Sequence, residues 1–183
     1  MSNGYEYRTA ENKLLLLYLI SRMELPMSRA QVTDFVQGAE FMDYYTLQQT
    51  LAIMVESGHL DATEENALDN STTRYVVTDE GQTTLEYFEK HIPWSKREAI
   101  DRYITENRGK IKKDYEITAT YFPNVENDEF RVKCGVYEDK RALLELFVSV
   151  DTREQAKLIQ SNWRANASVL YQRIIEALTV TGG

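Results

Sequence analysis

The stretch RYVVTDEGQTTLEYF, residues 74–88, encodes a strand, a helix cap and the start of a helix in immediate succession. Its first letters include the β-branched and aromatic residues that favour strands. Thr78 carries a hydroxyl that can accept a hydrogen bond from the first free amides of a helix. Gly81 has no side chain, so the helix start can pack closely against the strand. We therefore predict a strand over residues 73–78 and a helix that follows Thr78 and ends before Pro93.

A longer helix precedes this strand, in the stretch DYYTLQQTLAIMVESGHLD at residues 43–61. Asp43 is a suitable N-cap, and Gly58 is the residue type on which helices most commonly end. A short strand is predicted over residues 60–63. The polar segment EENALDNS then connects it to the next strand, in the pattern of a hairpin.

Two more helices are predicted nearer the N-terminus. One covers residues 9–23, and the other opens with the capping box Ser28-Arg-Ala-Gln31. The resulting order is three helices, two strands and a fourth helix. Apolar residues at helical and strand spacing predict that these elements share one core. Its predicted members are Leu14, Leu17, Val32, Phe35, Leu47, Leu51, Met54, Leu85 and Phe88.

The second half of the chain predicts a different arrangement. A linking helix is expected over residues 94–113, opened by a capping box at Ser95. From Asp114 the apolar period changes to two, which predicts three antiparallel strands within residues 114–150. Asp151 is expected to cap a final helix that covers one face of this sheet. The predicted fold class is thus α+β, with domains at residues 1–93 and 114–183 joined by the linking helix. The three strands are expected at residues 115–122, 130–137 and 142–150.

The N-terminal order and wording resemble those of the winged helix-turn-helix regulators of the PadR-like and MarR-like families. The phrase Tyr75-Val-Val-Thr78-Asp-Glu-Gly81 is similar to the family phrase Tyr-x-Leu-Thr-x-x-Gly, with Val77 in place of Leu. The chain also resembles an uncharacterised bacterial family in which a winged helix is joined to a small α/β domain. The resemblance implies that residues 1–93 form a winged helix and that its third helix contacts DNA.

The third helix contains no Lys or Arg, so its DNA contacts would have to be neutral ones. Tyr, Thr and Gln side chains can bind phosphates, and Gln can read adenine in the major groove. The base-reading candidates are Tyr45, Thr46, Gln48 and Gln49. The alternative interpretation is a polar helix face that is solvated or docks on another protein.

Phosphate contacts are expected from basic residues outside the third helix. Ser28 and Arg29 lie at the start of the second helix, where free amides and a guanidinium can hold one phosphate. Arg74 lies at the base of the second strand. The hairpin itself carries Glu64, Glu65 and Asp69, the wrong sign for a DNA contact.

A basic run follows at residues 96–113 and offers further phosphate candidates in Lys110, Lys112 and Lys113. The alternative for this run is a solvated helix face held by pairs such as Arg97–Asp101 and Glu98–Arg102 at i,i+4 spacing. Sequence alone leaves both interpretations open. The basic residues of the run are Lys96, Arg97, Arg102, Arg108, Lys110, Lys112 and Lys113.

Charge and composition exclude several classes. The net charge is −8, and residues 1–91 contain 6 basic and 15 acidic residues, whereas residues 92–183 contain 15 and 14. A general nucleic-acid coat is therefore excluded. The two histidines and Cys134 do not have metal-ligand spacing, and there is no phosphate-binding glycine loop or nucleophile elbow. We expect no enzyme activity, no cofactor, no metal and no membrane span.

The single cysteine and the absence of a signal segment favour a cytoplasmic protein. We expect a transcriptional regulator that binds double-stranded DNA as a homodimer, with a C-terminal domain that dimerises or senses a small-molecule effector. The alternative is a protein–protein interaction module built on a winged helix that does not bind DNA.

Overall fold

The computed structural model describes residues 2–65, 72–124, 127–138 and 141–180, without the side chains of residues 2–7 and Glu65. In these ranges the protein is α+β, with six α-helices and two three-stranded antiparallel sheets. The contacts form two compact units, one that ends at Ile111 and one that begins at Lys112. Each helix of the described ranges is too short or too polar to cross a bilayer.

The N-terminal unit contains five helices and one sheet, in which the strand order is β1-β3-β2. Helix α5 begins in this unit and ends in the next one. The elements are α1 (Ser2–Met23), β1 (Met27–Ser28), α2 (Arg29–Gly38), α3 (Tyr44–Glu56), β2 (Leu60–Glu65), β3 (Thr72–Val77), α4 (Asp79–Phe88) and α5 (Trp94–Glu116).

Strand β1 was not predicted. Met27 pairs with Tyr75 and Ser28 pairs with Arg74, which adds a third strand to the predicted hairpin. Two residues are too few to show a period, and only the tertiary fold brings them to the edge of β3. The predicted connection at residues 64–71 lies mostly outside the described residues, because residues 66–71 are not among them.

The predicted core of the N-terminal unit is confirmed except at one position. Seven of the nine predicted residues are buried, and Leu14 packs partly buried against them. Phe88 was predicted inward, but 49% of its surface is exposed. The prediction was wrong there because α4 ends at this residue and a short 3₁₀ turn (Glu89–His91) follows. Ile92, which follows that turn, is buried.

The junction of α3, β3 and α4 has the geometry that its sequence predicted. The Thr78 hydroxyl accepts a hydrogen bond from the Gly81 amide at 3.0 Å and donates one to the Gly58 carbonyl at 2.6 Å. The Thr78 amide donates to the His59 carbonyl at 3.2 Å. A Cβ atom on Gly81 would overlap that same carbonyl oxygen and lie 3.0 Å from a methyl group of Val77. Gly58 ends α3 with a φ of 73°, the left-handed region that favours glycine.

Helix α5 begins where it was predicted but differs from its prediction in its cap and in its C-terminal end. It begins at Trp94, and the Pro93 carbonyl accepts from the amides of Lys96 and Arg97 at 3.0 and 3.1 Å, so the predicted cap at Ser95 is wrong. It continues to Glu116, so residues 114–116 are helical and not the start of a strand. A salt bridge of 3.4 Å between Lys112 and Glu116 holds this last turn.

The C-terminal unit is an antiparallel meander whose inner face packs against one long helix. The Cα partners confirm the predicted face, since Cys134 lies between Ala119 and Leu146, and Val132 lies between Tyr121 and Val148. Helix α6 is capped by Thr152 and Gln155, where Asp151 was predicted. The elements are β4 (Ile117–Asn124), β5 (Glu129–Glu138), β6 (Arg141–Val150) and α6 (Arg153–Thr179).

The other face of this sheet carries aromatic and charged residues. Phe147 is 52% exposed, with the Arg131 guanidinium 5.0 Å from its ring centre. Glu145 accepts hydrogen bonds from Lys133 at 2.7 Å and from the Tyr137 hydroxyl at 2.6 Å. These donors lower the pKa of Glu145, and the same contact raises the pKa of Lys133. The buried core of the unit lies on the opposite face, where α6 places Trp163.

The Gly81 junction yields a stability prediction. Gly81→Ala should lower the free energy of unfolding by about 1–3 kcal/mol or more, because the new methyl group meets backbone that cannot yield cheaply. Gly109→Ala is the matched control, since a Cβ there meets nothing within 4 Å in a helix. The control should raise the free energy of unfolding by about 0.5–1 kcal/mol. Denaturant titration of both variants checks this, and a Gly81→Ala protein as stable as the parent would refute it.

Cys134 provides a test of the C-terminal core. It is 1% exposed, and burial raises the pKa of its thiol to about 11. At pH 8 roughly one thiol in a thousand is then ionised, and only the thiolate reacts. We expect no reaction with Ellman's reagent under native conditions and one equivalent after unfolding in guanidinium. Rapid labelling of the native protein would contradict the burial of this strand.

Candidate nucleic-acid interface

Helix α3 is fixed at its N-terminus by a side-chain cap. The Asp43 carboxylate accepts from the Thr46 amide at 2.9 Å and from the Thr46 hydroxyl at 2.6 Å. These hydrogen bonds lower the pKa of Asp43, the Thr46 hydroxyl contributing most. The carboxylate therefore stays ionised at neutral pH, beside the positive end of the helix dipole.

Two of the four predicted base-reading side chains are exposed on α3. Tyr45 is 82% exposed, and Gln49 is exposed one turn further along. Thr46 is half-buried, and its hydroxyl hydrogen is donated to Asp43, so it has none to offer a phosphate. Gln48 is half-buried, and its amide nitrogen is enclosed without a hydrogen-bond partner among the described residues.

The same surface contains residues that the sequence analysis did not select. Tyr44 is 49% exposed and Ile53 is 40% exposed. The rings of Tyr44 and Tyr45 meet edge to face, with centroids 6.0 Å apart. Glu56 is exposed at the other end of the helix. The outer surface of α3 is thus aromatic and amide-bearing in its first two turns, and acidic in its last.

Arg29 lies at the first position of α2 and is held against β3 by neutral groups. Its Nε donates to the Tyr75 hydroxyl at 3.1 Å, and an Nη donates to Thr73 at 3.4 Å. The residue is exposed, and no described carboxylate lies within salt-bridge distance of it. Its charge is therefore fixed in position but not neutralised, which is what a phosphate contact requires.

Ser28 and Arg74 are brought together beside Arg29 by the pairing of β1 with β3. Ser28 is only 8% exposed, and its hydroxyl accepts from the Gln31 amide at 3.2 Å in the predicted capping box. This hydroxyl therefore serves the helix start. Arg74 is half-buried between Ser28 and Thr63 in the sheet register. The pairing of β1 with β3 brings together three residues that the sequence analysis took from two separate segments.

The basic run of residues 96–113 is largely neutralised by carboxylates. Lys96 binds Glu11 at 2.7 Å, and Arg108 binds Glu24. The remaining pairs are Arg97–Glu89 at 3.8 Å, Arg102–Glu98 at 3.9 Å and Lys112–Glu116 at 3.4 Å. Lys110 and Lys113 are exposed without a carboxylate partner among the described side chains.

These pairs favour the solvated-face interpretation for most of the run. The predicted pair Glu98–Arg102 is present, whereas Asp101 accepts a hydrogen bond from Tyr18 and contacts Arg22 at 3.5 Å. Of the three lysines predicted to touch phosphate, Lys110 belongs to the N-terminal unit, and Lys112 and Lys113 belong to the C-terminal unit.

Acidic side chains limit how much DNA backbone this unit can contact. Asp61 and Glu64 on β2 are exposed, as is Glu56. No group of three or more metal-ligating side chains occurs in the part of the chain that the structure describes. Of the contact residues predicted on α3 and at the start of α2, Tyr45, Gln49 and Arg29 are exposed.

Residues 12–178 match the model of the family described as "Domain of unknown function (DUF4364)", and the chain therefore belongs to that family. Neither a curated protein nor a solved structure matches it.

Proposed function

We propose that this member of the DUF4364 family is a DNA-binding transcriptional regulator whose N-terminal unit is a winged helix-turn-helix. The observation that carries the proposal is the capped helix α3, on which Tyr45 and Gln49 are exposed. The same unit carries Arg29, whose guanidinium is held in position but not neutralised. The order of the elements, with a three-stranded β1-β3-β2 sheet after α3, supports the same assignment.

The roles of these residues follow from their chemistry. In the major groove Gln49 can donate one hydrogen bond to N7 of adenine and accept one from its N6 amino group. Tyr45 can donate its hydroxyl to a phosphate while its ring packs against the sugar. Arg29 supplies a charge-assisted hydrogen bond to a second phosphate. Affinity then depends on base contacts more than on phosphate neutralisation.

A regulator of this kind acts in the cytoplasm on a two-fold DNA site, and two-fold sites require two-fold proteins. Helix α6 offers a surface for the second protomer. Its 27 residues span about 40 Å, whereas strands of 8–10 residues span about 26–33 Å. In its last two turns Ile175 and Leu178, three residues apart on one face, are 38% and 75% exposed. We propose that these residues form the homodimer contact.

The DNA proposal is tested by selection from a random duplex library at about 50 mM salt, where electrostatic binding is strongest. We expect one sequence family to be enriched. Its affinity should fall with log salt at a slope of about −0.9 per neutralised phosphate, so only a few units per dimer. Gln49→Ala should lose about 1–3 kcal/mol of discrimination at one or two base pairs. Gln37→Ala, an exposed glutamine of α2, is the matched control and should change nothing.

Charge variants separate phosphate contacts from solvated residues. Arg29→Met should flatten the salt slope by about one unit per protomer. Arg102→Met, which removes an exposed guanidinium already paired with Glu98, should leave it unchanged. Lys110→Met and Lys113→Met decide whether the unpaired lysines touch the backbone. No enriched sequence from a correctly folded protein would refute DNA binding.

A second candidate function is a protein-interaction module, favoured by the aromatic character of α3. Tyr44, Tyr45 and Ile53 are each exposed on a helix that lacks a cation. Tyrosines are enriched in protein interfaces, and charged residues are depleted at interface centres. Under this reading the same selection enriches no DNA, and Tyr45→Ala abolishes binding to a protein partner.

The dimer proposal is tested by light scattering during size-exclusion chromatography. The protomer mass is 21.3 kDa, and the parent should elute with twice this mass. Leu178→Glu should give the protomer mass, because burying an unpaired carboxylate at the contact opposes association. Leu158→Glu places the same charge on an exposed leucine in the first half of α6 and should leave the dimer intact. A parent that runs as a monomer at high concentration would contradict the proposal.

A further inference from the structure

Three helices of the N-terminal unit border an open apolar cleft of about 210 Å³. Ala10, Lys13, Leu14 and Leu17 are spaced i, i+3, i+4 and i+7 and so line it from one face of α1. Thr84 and Phe88, one turn apart on α4, line the second wall. The last turn of α3 and the turn after it contribute Met54 and His59.

The volume of the cleft restricts what can fill it. An apolar cavity of about 150 Å³ accepts benzene, and drug-sized pockets begin near 300 Å³. About 210 Å³ therefore fits one ring with a short substituent. The apolar contacts come from Leu14, Leu17, Met54 and Phe88. Because Phe88 is 49% exposed, part of its ring surface is free to contact a ligand.

The ionisable groups beside the cleft have one sign, and they lie at its rim because the lining surface itself is almost wholly apolar. Among the lining residues that the structure describes, Lys13 and His59 carry basic groups and none carries an acidic one. This is unusual for a segment in which residues 1–91 contain 6 basic and 15 acidic residues. Among the described side chains no carboxylate lies within salt-bridge distance of Lys13, whereas Glu11, two residues earlier, is taken by Lys96. Glu80 approaches Gly58 but does not line the cleft.

His59 also has hydrogen-bonding capacity left. Its Nδ1 lies 2.7 Å from the Ser57 hydroxyl, which fixes the ring. No partner for Nε2 occurs in the described part of the chain, and this nitrogen can carry a hydrogen to donate. A ligand that consists of an apolar ring alone would leave the Lys13 ammonium and the His59 Nε2 without a hydrogen-bond acceptor. A ligand with a carboxylate at the mouth of the cleft would supply that acceptor.

We propose that this cleft binds a small-molecule ligand with one apolar ring and one carboxylate, the ring between α1 and α4 and the carboxylate at Lys13 and His59. If α3 contacts DNA as proposed above, the ligand also acts as an effector, because it touches Met54 in the last turn of that helix. That regulatory consequence rests on the proposed function, whereas the binding site does not.

The test uses three probes of equal size and different charge: benzoate, benzamide and benzamidine. Each is titrated against the full chain without DNA, with amide chemical shifts followed by NMR. We expect the affinity order benzoate, benzamide, benzamidine, with about a tenfold preference for benzoate over benzamide. Shifts should concentrate at the amides of Leu14, Leu17 and Met54.

Variants assign the preference to the cleft. Lys13→Met keeps the aliphatic stem and removes the charge, so it should cut the benzoate preference several-fold while benzamide binding stays unchanged. His59→Gln should do the same, and the double variant should abolish the preference. Lys90→Met, an exposed lysine of the same unit outside the cleft, is the matched control and should bind as the parent does.

A steric variant tests the location. Ala10→Trp should fill the cleft and prevent binding of all three probes, whereas Ala52→Trp, at an exposed alanine of α3, should not. Equal affinity for benzoate and benzamide, or a preference that survives the double substitution, would overturn the anionic ligand class. No shift at the cleft amides with about 10 mM of any probe would overturn the site itself.

A separate arm distinguishes this inference from the proposed function. Benzoate at saturation is added to the DNA sequence enriched by selection, and a change in DNA affinity supports the effector role. Ligand binding without an enriched DNA sequence would support the cleft as a ligand site and refute the regulator. DNA binding without ligand binding would support the regulator and refute the ligand site.

Discussion

The N-terminal unit depends on the hydrogen-bonded junction at Thr78. One hydroxyl caps α4 and binds the carbonyl that ends α3, while the adjacent amide binds the His59 carbonyl. These hydrogen bonds join residues 58–59 to residues 78–81, and so hold the end of α3, the end of β3 and the start of α4 against one another. Gly81 is required because the His59 carbonyl occupies the space of a side chain. The direction in which α3 presents Tyr45, and the width of the cleft beside His59, both follow from this junction.

Charge is the second constraint on what this protein can do. An acidic chain can hold DNA only through a few well-placed contacts, since each neutralised phosphate adds salt-dependent affinity that acids elsewhere oppose. The ion pairs along α5 remove most of the cations that looked available in the sequence. Arg29 differs because Tyr75 and Thr73 position it without cancelling its charge. The same reasoning applies to Lys13 at the cleft, which has no carboxylate partner among the described side chains and lies beside apolar walls.

The two faces of the C-terminal sheet differ, because one is buried against α6 and the other is exposed. The inner face is closed by α6 and contains the buried Trp163, whose ring nitrogen donates to the Gly135 carbonyl at 3.2 Å. The outer face keeps Phe147 exposed between Arg131 and Lys133. Helix α6 packs against the sheet as far as Ile174, and its last turns carry the exposed Ile175 and Leu178. Both features leave apolar surface exposed on the C-terminal unit.

Local patterns in the sequence determined the caps at Ser28, Asp43 and Thr78 and the alternation that defines the inner face of the C-terminal sheet. Each of these depends on residues within a few positions of one another, so periodicity and side-chain chemistry suffice. The tertiary structure alone decided the pairing of Met27 and Ser28 with β3, the exposure of Phe88 and the enclosure of Gln48. It also decided which cations of α5 are neutralised, since Glu11 and Glu24 lie more than eighty residues from Lys96 and Arg108. Spacing along the chain cannot give the partners of a side chain across such a distance, because they are set by how the helices pack.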